Sequence, residues 1–210
     1  MYTFSRRRVA LPAHAIEAAA AAIEATAAAQ QITGLPMSTW VTWLSPDSGT
    51  VVWSATGKRL TDLETAFDKL AVDQGFQQLV AAYDQLFVGP LEDSLAKVVY
   101  GDPITIPGSI PEYASVVRST ARNGRVREAL SAGVQLAQHA TEVTHVPMSF
   151  LVEVTGAFGG VRWVSVGSSV AEVEHSLAEL TDDLGWLELV DSVGPVFGEG
   201  TRQDLYRRID

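Results

Sequence analysis

Leu35-Pro36-Met37-Ser38 returns as Val146-Pro147-Met148-Ser149, 111 residues further along the chain. Laid over each other at that offset, the two halves fall into register. Trp53 meets Trp163, Gly57 meets Gly167, Glu64 meets Glu174, Asp73 meets Asp183, Gly75 meets Gly185 and Phe76 meets Trp186, all at an offset of 110. Tyr2 meets Tyr113 and Arg7 meets Arg118 at 111, so the one-residue change lies between Met37 and Trp53, where a hairpin loop absorbs it. A solenoid repeat has a period of roughly 20 to 50 residues. The period here is that of a small domain, and the sequence reads as a tandem duplication: repeat 1 at residues 1–100, a linker at 101–111 and repeat 2 at 112–210.

The pattern within each copy sets the fold class. Tyr2 to Val9 reads as a strand. From Ala13 to Gln31, Ile16, Ala20, Ile23 and Ala27 recur at helical spacing among strong helix formers, and Gly34-Leu35-Pro36 ends that helix. Thr39 to Leu44 and Thr50 to Ala55 read as a hairpin about Ser45 to Gly49. A second helix is expected to start at Thr61-Asp62-Leu63-Glu64, a capping-box pattern, and to break at Gly75 before a shorter helix carrying Phe76, Leu79 and Val80. Ser94 to Tyr100 closes the unit. The second copy repeats the order, with strands near Tyr113 to Ser119, Ser149 to Val154, Val161 to Val166 and Asp204 to Ile209. Each copy is therefore βαββαβ with an extra short helix, the ferredoxin-like order.

In Thr39 to Leu44, Trp40 and Leu44 fall on one face and Val41 and Trp43 on the other, so neither face suits solvent. The expected fold is α+β: helices cover one face of each antiparallel sheet, and the two sheets face each other as an intramolecular pseudo-dimeric barrel. The linker, with Asp102-Pro103, Ile106-Pro107 and Ile110-Pro111, is expected to be an extended strap.

Composition narrows the function classes. No cysteine is present, which excludes a disulfide scaffold and thiolate chemistry and favours a cytoplasmic location. A net charge of −10 argues against nucleic acid as a partner. Ser5-Arg6-Arg7-Arg8 resembles part of a twin-arginine signal, but Pro12, His14, Glu17 and Glu24 interrupt the Ala-rich stretch that follows, and no membrane span is expected.

Gly34-Leu35-Pro36, the Trp43 to Trp53 hairpin and the stretch from Leu60 to Asp73-Gln74-Gly75-Phe76 together resemble the dimeric α+β barrel superfamily, and within it the NIPSNAP branch. The resemblance spans both halves. It implies the barrel fold, and a superfamily that includes haem-degrading and quinone-forming monooxygenases beside members with no assigned reaction. No catalytic set of that superfamily matches residue by residue, so none is carried over.

The polar candidates come from the residues themselves. Glu153 and Arg162 sit in otherwise apolar strands and are expected nearly opposite each other across the Gly156 to Gly160 turn. They form either a cross-strand ion pair or, with Trp40, Thr42 and Trp43, a ligand-binding set inside the barrel. His139, Glu142 and His145 are spaced for one side of a helix and offer two imidazoles and a carboxylate, but Val146-Pro147 disfavours helix there, and no metal site is expected. Arg6, Arg7 and Arg8, and Arg118, Arg122, Arg125 and Arg127, lie at equivalent places at and just after the two first strands and read as a solvated edge or an anion-attracting cluster. The expected function is binding of a small hydrophobic molecule in the cleft between the halves, without a cofactor, or action through protein interactions, self-association included. The alternative is a cofactor-independent or haem-linked monooxygenase of the barrel type, for which Thr42, Glu153, Arg162 and His145 are the polar candidates.

Overall fold

Alanine sets the spacing of the first helix from its sheet: Ala18, Ala21, Ala22 and Ala29 form most of the buried face of α1 (Ala15–Thr33). Small side chains let helix and sheet backbones approach closely, and burial against the sheet holds the helix more than propensity does. The protein, seen in a computed structural model that describes residues 1–102 and 110–210, has two units, Met1–Leu95 with Arg207–Asp210, and Ala96–Tyr206.

In the first unit α1 follows β1 (Tyr2–Ala10) and precedes β2 (Met37–Thr42), β3 (Thr50–Gly57), α2 (Leu60–Val72), α3 (Gln74–Tyr83) and β4 (Phe87–Tyr100), which runs on into the second unit. β3 is the central strand, antiparallel to β1 from Tyr2↔Gly57 to Val9↔Thr50 and to β2 from Met37↔Ala55 to Val41↔Val51. Ala10, Ala18, Ala22, Val51 and Phe87 form a core between sheet and helix, with Val41 and Trp53 against it.

The second unit contains β5 (Tyr113–Thr120), α4 (Val126–Thr144), β6 (Met148–Glu153), β7 (Gly160–Gly167), α5 (Val170–Asp182), α6 (Leu184–Val193) and β8 (Arg202–Arg208). β7 pairs antiparallel with β5 from Tyr113↔Gly167 to Thr120↔Gly160 and with β6 from Met148↔Ser165 to Val152↔Val161, while the end of β4 pairs with β6 at Ala96↔Glu153. Phe150, Trp163, Phe197, Leu136 and the alanines of α4 make its core. Because β4 and β8 each run from one unit into the other, the strand order closes as an antiparallel barrel, β1-β3-β2-β8-β5-β7-β6-β4.

Several local expectations shift. The strand expected at Thr39 to Leu44 is Met37–Thr42, and Leu44 takes a left-handed φ of 50° in the turn. The last strand of the first copy starts at Phe87, well before Ser94. The capping box lies two residues earlier than Thr61 and Glu64: Asp62 accepts from the Arg59 backbone N–H at 2.9 Å. The break between α2 and α3 is made by Asp73, which ends one helix and caps the next by accepting from Phe76 N–H at 2.8 Å. Asp183 does the same for Trp186 at 2.6 Å. Of the proline strap expected at 101–111, residues 103–109 lie outside the described residues. Among those described, no helix is long and apolar enough to cross a membrane.

Candidate functional site

Each unit holds a cavity between its helix layer and its sheet. In the second unit the cavity measures about 500 Å³ and is walled by Val117 and Trp163 from the sheet, Val173 and Leu180 of α5, Trp186 of α6, and Phe197. Ser115, Ser119, Ser176 and further serine and threonine hydroxyls, the Gln203 amide and the Glu172 carboxylate add polar groups to a mostly apolar lining. That composition, mostly apolar with a few placed polar groups, is the usual one for small-molecule sites, and the volume lies within their range of about 300 to 1,000 Å³. Trp163 is fixed in place because its Nε1–H donates to the Gly133 carbonyl at 2.9 Å. At the neighbouring helix junction His139 Nε2 lies 3.0 Å from Asp183 Oδ1 and the His139 ring stacks on Trp186. The His139 hydrogen bond, followed by the Trp186 backbone N–H, holds the Asp183 carboxyl below its ordinary value.

The first unit's cavity measures about 460 Å³ and is lined by Phe4, Trp53, Phe67, Phe76 and Phe87, with Arg6 and Arg8 on β1. Arg8 is 11% exposed. The reading of these arginines as a solvated edge is therefore corrected for Arg8, which lies folded over the Phe87 ring at 4.8 Å.

On the opposite face of the second sheet, four strands carry a row of buried or half-buried charges. Arg118 and Arg162 stand directly opposite each other on β5 and β7. Such a like-charge pair is unfavourable unless flanked by anions. Asp204, fully buried, accepts from Arg118 Nη1 at 2.7 Å and from Arg202 Nη2 at 2.7 Å, while Arg162 Nε donates to Glu153 Oε1 at 2.7 Å. Tyr206 OH accepts from Arg118 Nη2 at 3.1 Å. Burial pushes the Arg162 guanidinium below its ordinary range; Glu153 opposes that shift and Arg118 adds to it. The row is longer than the pair expected: Arg118 and Asp204 join Glu153 and Arg162. Its register also differs from the expected one: Leu151, not Glu153, stands opposite Arg162, and Glu153 reaches it diagonally from the same face.

The other candidate residues are dispersed. Trp40 is buried and its Nε1–H donates to Ser54 Oγ at 3.1 Å. Thr42 serves the hairpin, donating to the Asp47 carbonyl at 2.6 Å and accepting from Thr50 N–H at 3.1 Å. Trp43 lies just past the end of β2. None of Trp40, Thr42, Trp43, Glu153 and Arg162 lines either of the two cavities. His145 ends α4 in a left-handed conformation, φ 56°, so the helix that would carry it beside His139 stops there. Sequence reasoning missed the cavities, Arg118's part in the charged row, and Asp204. Arg118 carried a signal, since it repeats Arg7 on an inward-facing strand position.

No family model and no curated protein matches the chain. Solved structures do. A proposed monooxygenase from Fusobacterium nucleatum superposes with a TM-score of 0.76 at 8% identity, over 100% of this chain and 92% of its own. An anthrone oxidase-like protein gives 0.68 at 15% identity, covering 100% and 91%. Chlorite dismutase from Candidatus Nitrospira defluvii gives 0.53 at 11% identity, covering 98% and 90%. At such identities the likeness is one of fold, an α+β barrel.

Proposed function

We propose that this chain is a ligand-binding α+β barrel protein whose second unit takes up a small, largely apolar molecule between its sheet and α5 and α6. The observation that carries the reading is the cavity walled by Trp163, Trp186 and Phe197, where flat aromatic surfaces offer stacking as well as burial. Within this reading the chain is a tandem duplication of NIPSNAP type, with repeats at 1–100 and 112–210. The matching element order and the paired caps at Asp73 and Asp183 support it.

An oxygenase acting on such a molecule is the second reading, favoured by the monooxygenase and anthrone oxidase-like neighbours. Haem fits this cavity poorly. An axial ligand is His, Cys, Met or Tyr, and of these Met148 alone is in the lining. The form of the second reading that the residues favour is therefore cofactor-independent. Anthrone serves as the probe for both. We expect a saturable change in tryptophan fluorescence on titration with anthrone, lost in Ser176→Phe, which fills the cavity. No saturable change in the unsubstituted protein would overturn the binding reading. Dioxygen consumption and anthraquinone formation in the same mixture would establish the oxygenase, and a saturable, shifted Soret band with haemin would reverse the judgement on haem.

A further inference from the structure

The first unit's cavity differs from the second's in one chemical respect. At the two positions of the outer strand where the second cavity presents Val117 and Ser119, the first presents Arg6 and Arg8. The rest of its wall is mostly aromatic or aliphatic, with Phe4 and Phe67 edge to face at 4.6 Å and Trp53 against Phe87 at 5.7 Å. Two cations therefore line one side of an apolar space.

The two arginines are not equally engaged. Arg6 is held in a two-pronged pair by Asp93, Nε to Oδ1 and Nη2 to Oδ2, both at 2.7 Å. Arg8 makes one such bond, from Nη1 to Asp84 Oδ1 at 2.7 Å. Asp84 is 74% exposed, and a carboxylate so well hydrated holds its partner weakly. The Nε–H of Arg8 is buried without any acceptor. A guanidinium presents a planar fork that matches a carboxylate in two-pronged geometry, and a buried donor left unmatched is a cost that an arriving acceptor removes.

We infer that the first unit's cavity binds an apolar monocarboxylic acid, its hydrocarbon body among Phe4, Trp53, Phe67 and Phe87 and its carboxylate on Arg8. The ligand replaces Asp84 as the partner of Arg8 and supplies the acceptor that Nε lacks. Asp84, the one carboxylate of the wall, is the competitor that the ligand displaces; Tyr83, Thr26, Ser54 and Gln77 are the other polar groups beside Arg6 and Arg8, and they carry no charge. This site is separate from the cavity of the second unit and does not depend on how that one is used.

Decanoate and 1-decanol, matched in chain length, are the probes, and calorimetric titration at pH 7.5 gives both affinities. The expected result is a preference for the acid of about tenfold or more, the usual worth of a charge-assisted hydrogen bond, that shrinks with added salt. Arg8→Gln abolishes the preference while decanol still binds. Asp84→Asn, which frees Arg8 from its competitor, strengthens decanoate binding, and a thermal melt of each variant confirms folding. Equal binding of acid and alcohol would overturn the inference. So would a preference that survives Arg8→Gln, or an Asp84→Asn variant that binds decanoate more weakly or no differently.

Discussion

Thr39 on β2 and Phe150 on β6 occupy equivalent positions, 111 residues apart, yet fill their cores by opposite means. In the first unit Thr39 is buried and its hydroxyl bonds that of Thr26 on α1. In the second Phe150 is fully buried against smaller helix residues: Gly133 lies 111 positions after Ala22, and Ala137 111 positions after Thr26. A Cβ on Gly133 would lie 2.2 Å from Phe150 Cζ. The tryptophan above survives the exchange, for Trp53 donates to Ala22 O at 3.3 Å and Trp163 to Gly133 O at 2.9 Å. Helix and strand are thus coupled in volume, while the bond that fixes the helix over the sheet is kept.

That coupling predicts the largest effects. Phe150→Ala should cost about 3 to 5 kcal/mol, a large share of a typical stability of about 5 to 15 kcal/mol. Gly133→Ala should also destabilise, because the ring has no room to retreat. The triple change Gly133→Ala, Ala137→Thr and Phe150→Thr rebuilds the first unit's arrangement and should recover part of the loss. Denaturant melts decide the matter: a triple variant no more stable than Phe150→Ala breaks the comparison.

The opposite sheet faces differ as well. Where the second unit aligns Asp204, Arg118, Arg162 and Glu153, the first has Ser94, Arg7, Val52 and Thr42 at the corresponding positions. Arg7 pairs with Asp47 and Glu92, which are 35% and 62% exposed. Arg162 is 6% exposed and its partner Glu153 12%. Removing one member of a buried pair costs about 3 to 5 kcal/mol, and for a chain this long each kcal/mol moves the melting temperature by roughly 2 to 4 °C. Arg162→Ala should therefore lower the melting temperature by about 6 to 20 °C, and Arg162→Met with Glu153→Leu should restore much of it. Arg7→Ala should lose no more than about 1 kcal/mol, as exposed pairs do. An unchanged melting temperature for Arg162→Ala would show that the pair does not hold the sheet, and would favour a ligand role for it.

These contrasts mark what the sequence could disclose. The order of strands and helices and the meeting of Glu153 with Arg162 were legible, because each depends on periodicity or on a short hairpin. Asp204 was not, since it reaches Arg118 from a strand 86 residues away. The capping box was displaced because Thr61 and Glu64 have the expected spacing while Asp62 is the residue whose carboxylate reaches back to Arg59. The cavities were invisible for a different reason. They depend on how far α2, α3, α5 and α6 stand from their sheets, and no local pattern encodes that distance. Arg8 looked like a solvated edge because β1 carries three arginines in a row, and only the position of Phe87 beneath it shows which way it folds.

The smallest contrast lies at the two aspartates that end one helix and begin the next. Asp73 and Asp183 cap α3 and α6 in the same way, so losing either cap should destabilise. For Asp73→Ala the expected cost is about 1 kcal/mol. Asp183 also holds His139, whose counterpart in the first copy is Ala28, so Asp183→Ala should lower the melting temperature more than Asp73→Ala at pH 7. The pH dependence follows from the depressed Asp183 carboxyl, whose chief cause is the His139 hydrogen bond. A carboxyl held below its ordinary value stabilises the fold fully above that value, 3.8 here, and the contribution fades as pH falls through the lower folded-state value. The gap between the unsubstituted protein and Asp183→Ala should therefore be wide at pH 7 and narrow once the pH drops below 3.8. Melting curves of both variants at pH 7 and pH 3 test this. Equal losses at pH 7, or a gap for Asp183→Ala that does not close in acid, would mean that the histidine adds nothing to the cap and that the two helix junctions are energetically alike.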